Sequence, residues 1–347
     1  MNYNQLIIKE DKTILEALEM LTQIKDFSRL ILFVFNKKEK IIGSLTDGDI
    51  RRSLIMDHNI NKKVSEICNK NFLFKYDTDG YLELKSFYKK DIKIMPLLNK
   101  DNTISRFIDL DKTRSLLPLE CMIMAGGRGK RLSPLTDTVP KPMLKLNGKP
   151  IIEYNIDRLI YYGIKKIYIS LNYLGEQIES YFGDGSFKGI EIEYVYEKKQ
   201  LGTAGALSLV DNFQSENILL MNSDLFTNVD FERLYLKLIN ENADMVVSSK
   251  SYKVDIPFAV LDVNDSNVAS FKEKPSYNYP TNAGIYILKK ELINLIPNNK
   301  FFDITDLMNF IVSNGKKLVH VPITGYWIDI GRQSDYINAQ QLIENLK

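Results

Sequence analysis

From residue 121 onward, short apolar runs alternate with amphipathic stretches, the order expected of an α/β sheet. MIMA (122–125) reads as a first strand and KKIYISLN (165–172) as a second. Between them, IIEYNIDRLIYYG (151–163) has apolar residues near helical spacing and predicts a helix stopped by Gly163. IEIEYVYE (190–197), NILLMNSD (217–224) and ADMVVSSK (243–250) predict further strands. In such sheets ligands bind beyond the carboxyl ends of the strands. The loop after MIMA and the Asn222-Ser223-Asp224 corner both belong there.

Residues 1–117 have a different texture, with shorter mixed elements. Thr13 predicts the cap of a helix through Ile14, Leu15, Leu18 and Leu21, and Arg29 to Phe35 predicts a strand ending in the turn Asn36-Lys37-Lys38. IIGSLT (41–46) predicts the next strand, running through Asp47-Gly48-Asp49 into a helix that bears Arg51 and Arg52. A weaker second copy follows, with VSEIC near residue 64 and IMPLLNKDNTISRFIDLD near residue 94. Pro118 falls near the seam. At 347 residues the chain is long for one core, and two domains are expected, 1–117 and 118–347.

Aliphatic and aromatic residues make up 44% of the chain and charged residues 26%, the balance of a soluble globular protein. A net charge of +2 gives no global field to attract nucleic acid or a membrane surface, so neither is expected as a partner. The charged N-terminus lacks a signal-peptide core and no run reaches the length of a membrane span, which predicts a cytoplasmic protein. Cys68 and Cys121 are too few and too far apart for a disulfide framework or a cysteine zinc site, and both are expected in the core. Of the two histidines, His320 lies in the strand-like alternation LVHVPI. Catalysis by a histidine base is therefore not expected, and a mechanism of positioning and electrostatics fits better.

The densest chemistry lies in MIMAGGRGKRLSPLTDTVPKPMLKLNGKPIIEY (122–154). Ala125, Gly126, Gly127 and Gly129 form a tight turn whose N–H groups can approach phosphate oxygens, and Lys130 and Arg131 add charge there. A dinucleotide fingerprint does not fit, because the third glycine position counted from Gly127 is Leu132. A P-loop does not fit either, since no Gly-Lys-Ser or Gly-Lys-Thr closes the turn. Lys141, between Pro140 and Pro142, is a point charge on a stiffened backbone.

This segment resembles the signature of the sugar-1-phosphate nucleotidyltransferases, mannose-1-phosphate guanylyltransferase-like, in which a GGxGTRLxPLT loop precedes PKPM and GKPIIEY. Lys130 stands where that family usually has threonine. The likeness runs from about Cys121 to the C-terminus and implies a Rossmann-like, GT-A-like mixed sheet flanked by helices. It also implies roles. Arg131 and Lys141 are the expected catalytic residues, on the triphosphate and the α-phosphate respectively. Asp224 and Asp329, the latter in GYWIDIGRQSDY, are the expected carboxylates for Mg²⁺. A strand-end aspartate alone is ordinarily a turn or cap residue, and it is their joint occurrence that points to a metal. Lys274 is expected on the sugar phosphate and Glu273 on sugar hydroxyls, with Asn222, Asn282 and Gly284 on the sugar side. Glu197 with LGTAGAL (201–207), including Gly202 and Thr203, resembles the lid over base and sugar. A carboxylate can accept from guanine N1–H and the exocyclic amine, which favours GTP, with dTTP, UTP, CTP and ATP remaining as alternatives. Ala259 replaces a common glycine near the sugar.

Gly43-x-x-Thr46-x-x-Asp49 resembles a CBS domain, so the N-terminal part is expected to be an α+β tandem CBS module with one better-formed site. In that family the threonine and aspartate bind ribose hydroxyls, so Thr46 and Asp49 imply a nucleotide effector, against the alternative of a module that only assembles subunits. A CBS module ahead of this transferase resembles the guanylyltransferases of nonulosonic (legionaminic) acid pathways. The expected reaction is Mg²⁺-dependent transfer of a nucleotidyl group from a nucleoside triphosphate to a hexose or amino-sugar 1-phosphate, glucosamine 1-phosphate foremost, releasing pyrophosphate. A homo-oligomer is expected by the same resemblance. The competing reading is a non-catalytic nucleotide or nucleotide-sugar sensor.

Overall fold

The computed structural model describes residues 3–24, 30–77, 82–83, 87 and 92–346. The chain divides into two compact units, Met1–Leu116 and Leu117–Lys347.

In the first unit, Ile7–Lys9 pairs parallel with Ile31–Phe35, which pairs antiparallel with Ile41–Thr46. The same three-stranded plan recurs in Lys75–Tyr76, Ile94–Leu98 and Ile104–Asp109. The two hairpins correspond at a constant offset, since Ile31 faces Thr46 and Ile94 faces Asp109. Their turns match as well. Asn36 and Asn99 each donate from N–H to the carbonyl four residues on, Lys40 and Thr103, and the residue before the last, Glu39 or Asn102, is left-handed. Thr13 caps the helix Ile14–Gln23 in a reciprocal capping box with Glu16, as its position before an apolar stripe predicts. Arg29, placed at the start of a predicted strand, lies outside the described residues, and the strand itself begins at Ile31.

The second unit is built on a seven-stranded mixed sheet. Its strands are β1 (Leu119–Met124), β2 (Lys166–Leu171), β3 (Glu191–Tyr196), β4 (Asn217–Asn222), β5 (Met245–Asp255), β6 (Ser276–Lys289) and β7 (Leu318–Pro322). Their order is β3-β2-β1-β4-β6-β5-β7. The four strands from β3 to β4 run parallel, β6 is antiparallel to both neighbours, and β5 pairs parallel with β7. The centre reads as apolar runs because both its faces are covered. Cys121, Met122 and Ile123 of β1 and Ile218, Leu219 and Met221 of β4 are fully buried. Helix Ile151–Tyr161 buries Ile151, Ile152, Ile156 and Leu159 and ends before Gly163, whose φ is +76°. Each such side chain contributes about 1.5–3 kcal/mol on burial.

Two predicted spans need correction. β1 starts three residues before MIMA, at Leu119, because Leu119 and Glu120 pair with Asn217 and Ile218. β5 runs on to Asp255 rather than stopping at Lys250, because its outer half pairs residue for residue with β6. Beyond it lies a hairpin, Val260–Asn264 with Asn267–Lys272, which the apolar pattern did not single out. His320 is a satisfied strand residue, its Nδ1 lying 3.0 Å from Ser249 Oγ. Cys68 and Cys121 are buried and free. Among the described residues no helix is long and apolar enough to cross a membrane.

Candidate active site

Parallel strands β1, β2, β3 and β4 deliver their carboxyl ends to one edge, and the predicted motifs gather there. Ala125 continues β1, its N–H donating to Ser170 O at 3.0 Å, and the glycine loop follows. Gly129 takes a φ of +65°, and a Cβ there would lie 3.1 Å from Lys141 Cβ, so the loop can back onto the lysine only as glycine. Thr136 Oγ1 donates to Gly129 O and pins the turn at 2.9 Å. Lys130 and Arg131 stand exposed on the short 3₁₀ turn Lys130–Leu132. Arg128, which the sequence reading passed over, adds a third cation, with its guanidinium 5.3 Å from the centre of the Tyr173 ring.

Asp224 and Asp329 are brought together by a two-stranded ladder, Leu225–Thr227 against Trp327–Asp329, in which Leu225 faces Asp329. Ile330 N–H donates to Asp224 O at 3.1 Å and closes the register. Lys141, on a single turn flanked by prolines, forms an ion pair with Asp224 Oδ2, and its Nζ lies 3.9 Å from Asp329 Oδ1. Burial pushes the Asp329 carboxyl up from its ordinary value, and the Asp224 charge pushes it the same way, against the opposing pull of Lys141.

Asp224 Oδ1 is buried without a hydrogen-bond partner. A buried carboxylate oxygen left open is costly, and a divalent cation shared with Asp329 would satisfy it. Among the described residues no group of three His, Cys, Asp or Glu could form a complete metal cage. Two carboxylates with the remaining positions left to phosphate and water is the arrangement magnesium favours, so this donor set fits it.

A cleft of about 260 Å³ opens beside this pair, lined in part by Gly126, Gly127, Lys141, Glu197, Asn222 and Asp224. Glu197 follows β3. Its Oε1 accepts from Ser170 Oγ at 2.7 Å and its Oε2 from Leu201 N–H at 3.1 Å, so the carboxylate braces the loop that starts at Leu201 while lining the cleft. Gly202 and Thr203 line the same wall. Three further lining residues were missed: Gln200, Phe301 and Asp303. Asp303 Oδ1 accepts from Thr203 N–H at 3.0 Å, and Thr203 Oγ1 accepts from Ile304 N–H at 2.8 Å. The sequence signal for Asp303 was the Asp-x-x-Asp spacing of a helix start, and the structure has that capping box with Asp306. Nothing local revealed its partner one hundred residues away.

Asn222, expected on the sugar side, ends β4 within the cleft and Gly284 lies against it. With φ at +72°, a Cβ at Gly284 would come within 2.7 Å of Asn222 Nδ2. Asn282 Oδ1 accepts from Gly284 N–H at 3.0 Å and Tyr286 Oη at 2.9 Å, fixing this corner. Glu273 and Lys274 are not brought to the cleft. Both are exposed in the short link between the outer hairpin, which ends at Lys272, and β6, which begins at Ser276.

In the N-terminal unit, Thr46 and Asp49 are in contact, as partners in a helix cap. Asp49 Oδ2 accepts from Thr46 N–H at 2.8 Å and Thr46 Oγ1 at 2.7 Å, and Thr46 Oγ1 accepts from Asp49 N–H at 3.3 Å. Arg52 donates to the other oxygen at 2.5 Å. At the matching corner of the second copy stand Asp109 and Lys112, 3.7 Å apart.

A glycine-rich loop, a carboxylate pair held against a lysine, and a cleft at the strand ends of a mixed sheet mark an α/β domain of the kind that handles nucleotides. The comparisons name its family: residues 120–345 match the nucleotidyl transferase model, and the chain belongs to that family. Residues 1–56 match the CBS domain model. The chain is 30% identical over 242 residues to the UTP–glucose-1-phosphate uridylyltransferase of Synechocystis sp. (strain ATCC 27184 / PCC 6803 / Kazusa), with 64% of this chain and 62% of that protein covered. It is 31% identical to the D-glycero-alpha-D-manno-heptose 1-phosphate guanylyltransferase of Aneurinibacillus thermoaerophilus, covering 65% of this chain and 99% of that protein. It spans only about half the length, 53%, of the bifunctional protein GlmU of Methanococcus maripaludis, at 34% identity over 64% of this chain. Among solved structures, a putative glucose-1-phosphate thymidylyltransferase from Bacillus anthracis, in complex with a sucrose, superposes with a TM-score of 0.53 at 26% identity, over 65% of this chain and 94% of that one. HddC from Yersinia pseudotuberculosis complexed with GMP-PN gives 0.50 at 26% identity, over 65% and 99%.

Proposed function

We propose that this chain transfers a guanylyl group from GTP to a sugar 1-phosphate, with Mg²⁺ held between Asp224 and Asp329. The observation that carries the reading is the open, buried Asp224 Oδ1 beside Asp329 and Lys141 at the mouth of the glycine-loop cleft. A sugar phosphate oxygen attacks the α-phosphorus, the new P–O bond forms, and the bond to pyrophosphate breaks in line. Both partners are anions, so charge neutralisation and alignment are the main tasks, and no covalent intermediate or strong base is required. The cation, when bound, screens the phosphates and polarises the reacting centre.

The protein side of this chemistry is electrostatic. Gly126, Gly127 and Gly129 expose backbone donors to the triphosphate, with Arg128, Lys130 and Arg131 as surrounding charge. Lys141, already paired with the carboxylates, is positioned to stabilise the charge that develops around the α-phosphate. Asn222, for which the absence of a Cβ at Gly284 leaves room, addresses the acceptor side.

Glu197 supports guanine as the base. A carboxylate has only acceptors, and guanine presents two adjacent donors, whereas uracil and thymine present one imide N–H between two carbonyls. Similarity along nearly the whole length of two heptose 1-phosphate guanylyltransferases, 99% and 97%, favours the same choice. The acceptor is read as a hexose, heptose or amino-sugar 1-phosphate, glucosamine 1-phosphate among them. The test is pyrophosphate release from a panel of five nucleoside triphosphates and these sugar phosphates. GTP turning over with the highest kcat/KM is the expected result, and no turnover with any pair would favour a sensing role instead.

A further inference from the structure

The helix Ile151–Tyr161 buries a row of apolar side chains, and one polar residue sits among them: Asn155 is 2% exposed. Asparagine is a weaker helix former than leucine, and an amide is costly to bury unless its hydrogen bonds are made. Its Nδ2 donates to Ser223 O at 3.2 Å, the carbonyl just before Asp224. Three residues on, on the same side of the helix, Arg158 Nε donates to Val229 O at 2.6 Å and its Nη2 donates to Asn228 O. The two side chains thus take hold of the backbone at either end of one short segment. Between these holds lie Asp224 and the strand Leu225–Thr227, which pairs with Trp327–Asp329. Tyr154 packs its ring against Phe226 in the middle, with centroids 5.5 Å apart. The same helix is tied to Lys141 through its start, since Ile151 N–H donates to Leu144 O at 3.0 Å and Leu144 N–H to Lys141 O at 3.2 Å. Lys141 and the two aspartates are therefore mounted on one helix, although none of them belongs to it.

Given Mg²⁺ between these carboxylates, as proposed above, we infer that Asn155 and Arg158 are positioning residues for the metal site. By fixing the carbonyls of Ser223, Asn228 and Val229 they hold Asp224, and through the ladder Asp329, at the separation the cation needs. Magnesium demands near-ideal octahedral geometry, so a small shift of either carboxylate weakens its binding. Partners that orient a metal ligand typically govern affinity by about 10- to 100-fold. Arginine suits the far end of the segment because its planar fork reaches two neighbouring carbonyls at once, which a lysine cannot do. A purely structural anchor, when weakened, would leave the metal affinity of the folded protein unchanged, and that separates the two roles.

The test is Mn²⁺ binding to the full chain, followed by loss of the free-ion paramagnetic resonance signal, beside melting temperature and pyrophosphate release at graded Mg²⁺. Asn155→Leu keeps the size and removes the donor, and Arg158→Lys keeps the charge and removes the fork. Leu159→Ala, on the same helix, weakens the core, and its side chain makes no hydrogen bond to the segment. Asn155→Leu and Arg158→Lys are each expected to raise the Mn²⁺ dissociation constant about tenfold, and the Mg²⁺ concentration for half-maximal rate in parallel, with the nucleotide KM changed less than about threefold. Leu159→Ala is expected to melt lower at unchanged Mn²⁺ affinity. If Asn155→Leu does not fold, Arg158→Lys decides. A wild type that binds Mn²⁺, with folded variants of equal affinity, would overturn the positioning role and leave the metal site standing. Affinity lost equally in Leu159→Ala would overturn that role as well, since any loosening of the helix would then suffice. A wild type with neither Mn²⁺ binding nor Mg²⁺-dependent turnover would overturn the metal site and the positioning role together.

Discussion

Lys141 donates to Asp224 from a single helical turn pinned by prolines on both sides. The pair joins the PKP segment to the end of β4, and Asp329 completes it from near the far end of the domain. Charge in this triad is unbalanced, with two carboxylates to one ammonium.

Removing either carboxylate should therefore remove metal binding without removing the fold. Asp224→Asn and Asp329→Asn are each expected to lose about 10² or more in kcat, the scale of one preorganised electrostatic contact. Pyrophosphate release with and without added Mg²⁺ measures this. A chelator should silence the wild type, and near-normal turnover in both variants would refute the assignment.

Asp329 also makes a prediction about pH. Its carboxyl titrates above the ordinary range because burial and the Asp224 charge disfavour ionisation. The folded chain thus holds this proton more tightly than the unfolded chain, so stability falls as pH rises from the ordinary carboxylate range through the raised one. In metal-free protein at neutral pH, Asp329→Asn should melt higher than wild type, and the gap should close as pH falls. A gap that widens in acid would contradict the sign.

Lys141→Ala should lower kcat by about 10² with a smaller effect on KM, since the charge is needed most where negative charge develops. Steady-state kinetics separate the two parameters.

Glu197→Gln keeps the size but leaves one acceptor oxygen for the two donors now held, Ser170 Oγ and Leu201 N–H. Loss of one such bond costs about 0.5–1.5 kcal/mol, and preference for GTP over UTP should narrow. Competition assays with the two nucleotides give the ratio directly.

Asp49→Ala removes the N3 half of the capping box and leaves Thr46 as the N-cap, which costs about 0.5–1.5 kcal/mol of stability in urea melts. We propose that the same corner binds nucleotide ribose. Calorimetry with adenine and guanine nucleotides should then give an affinity in the wild type that falls at least tenfold in this variant. Heat identical in both proteins would leave Asp49 with the cap alone.

The central sheet was legible because its strands are buried on both faces and read as unbroken apolar runs, as Cys121 to Met124 do. The outer hairpin was not, since its apolar residues face solvent and their spacing has no core to answer to. At the site, the glycine loop and Asp224 stood out because close approach and strand ends leave local marks. The brace between Asp303 and Thr203 left none, because it is a contact across one hundred residues. Thr46 and Asp49 were read as ligands by their spacing, and that same spacing builds a capping box. Local pattern does not separate the two uses.

The repeated hairpins of the N-terminal unit imply interchangeable parts. Their turns, 36–40 and 99–103, close through the same backbone bonds and the same left-handed fourth residue, so a chimaera carrying either turn in both places requires no adjustment of the strands. The copies diverge where the hairpins end: Thr46 and Asp49 cap the helix Asp47–Asp57, whereas Asp109 and Lys112 stand in a turn with no helix after it. A shared frame therefore does not make a shared corner, because Thr and Asp grafted onto positions 109 and 112 would have no helix to cap.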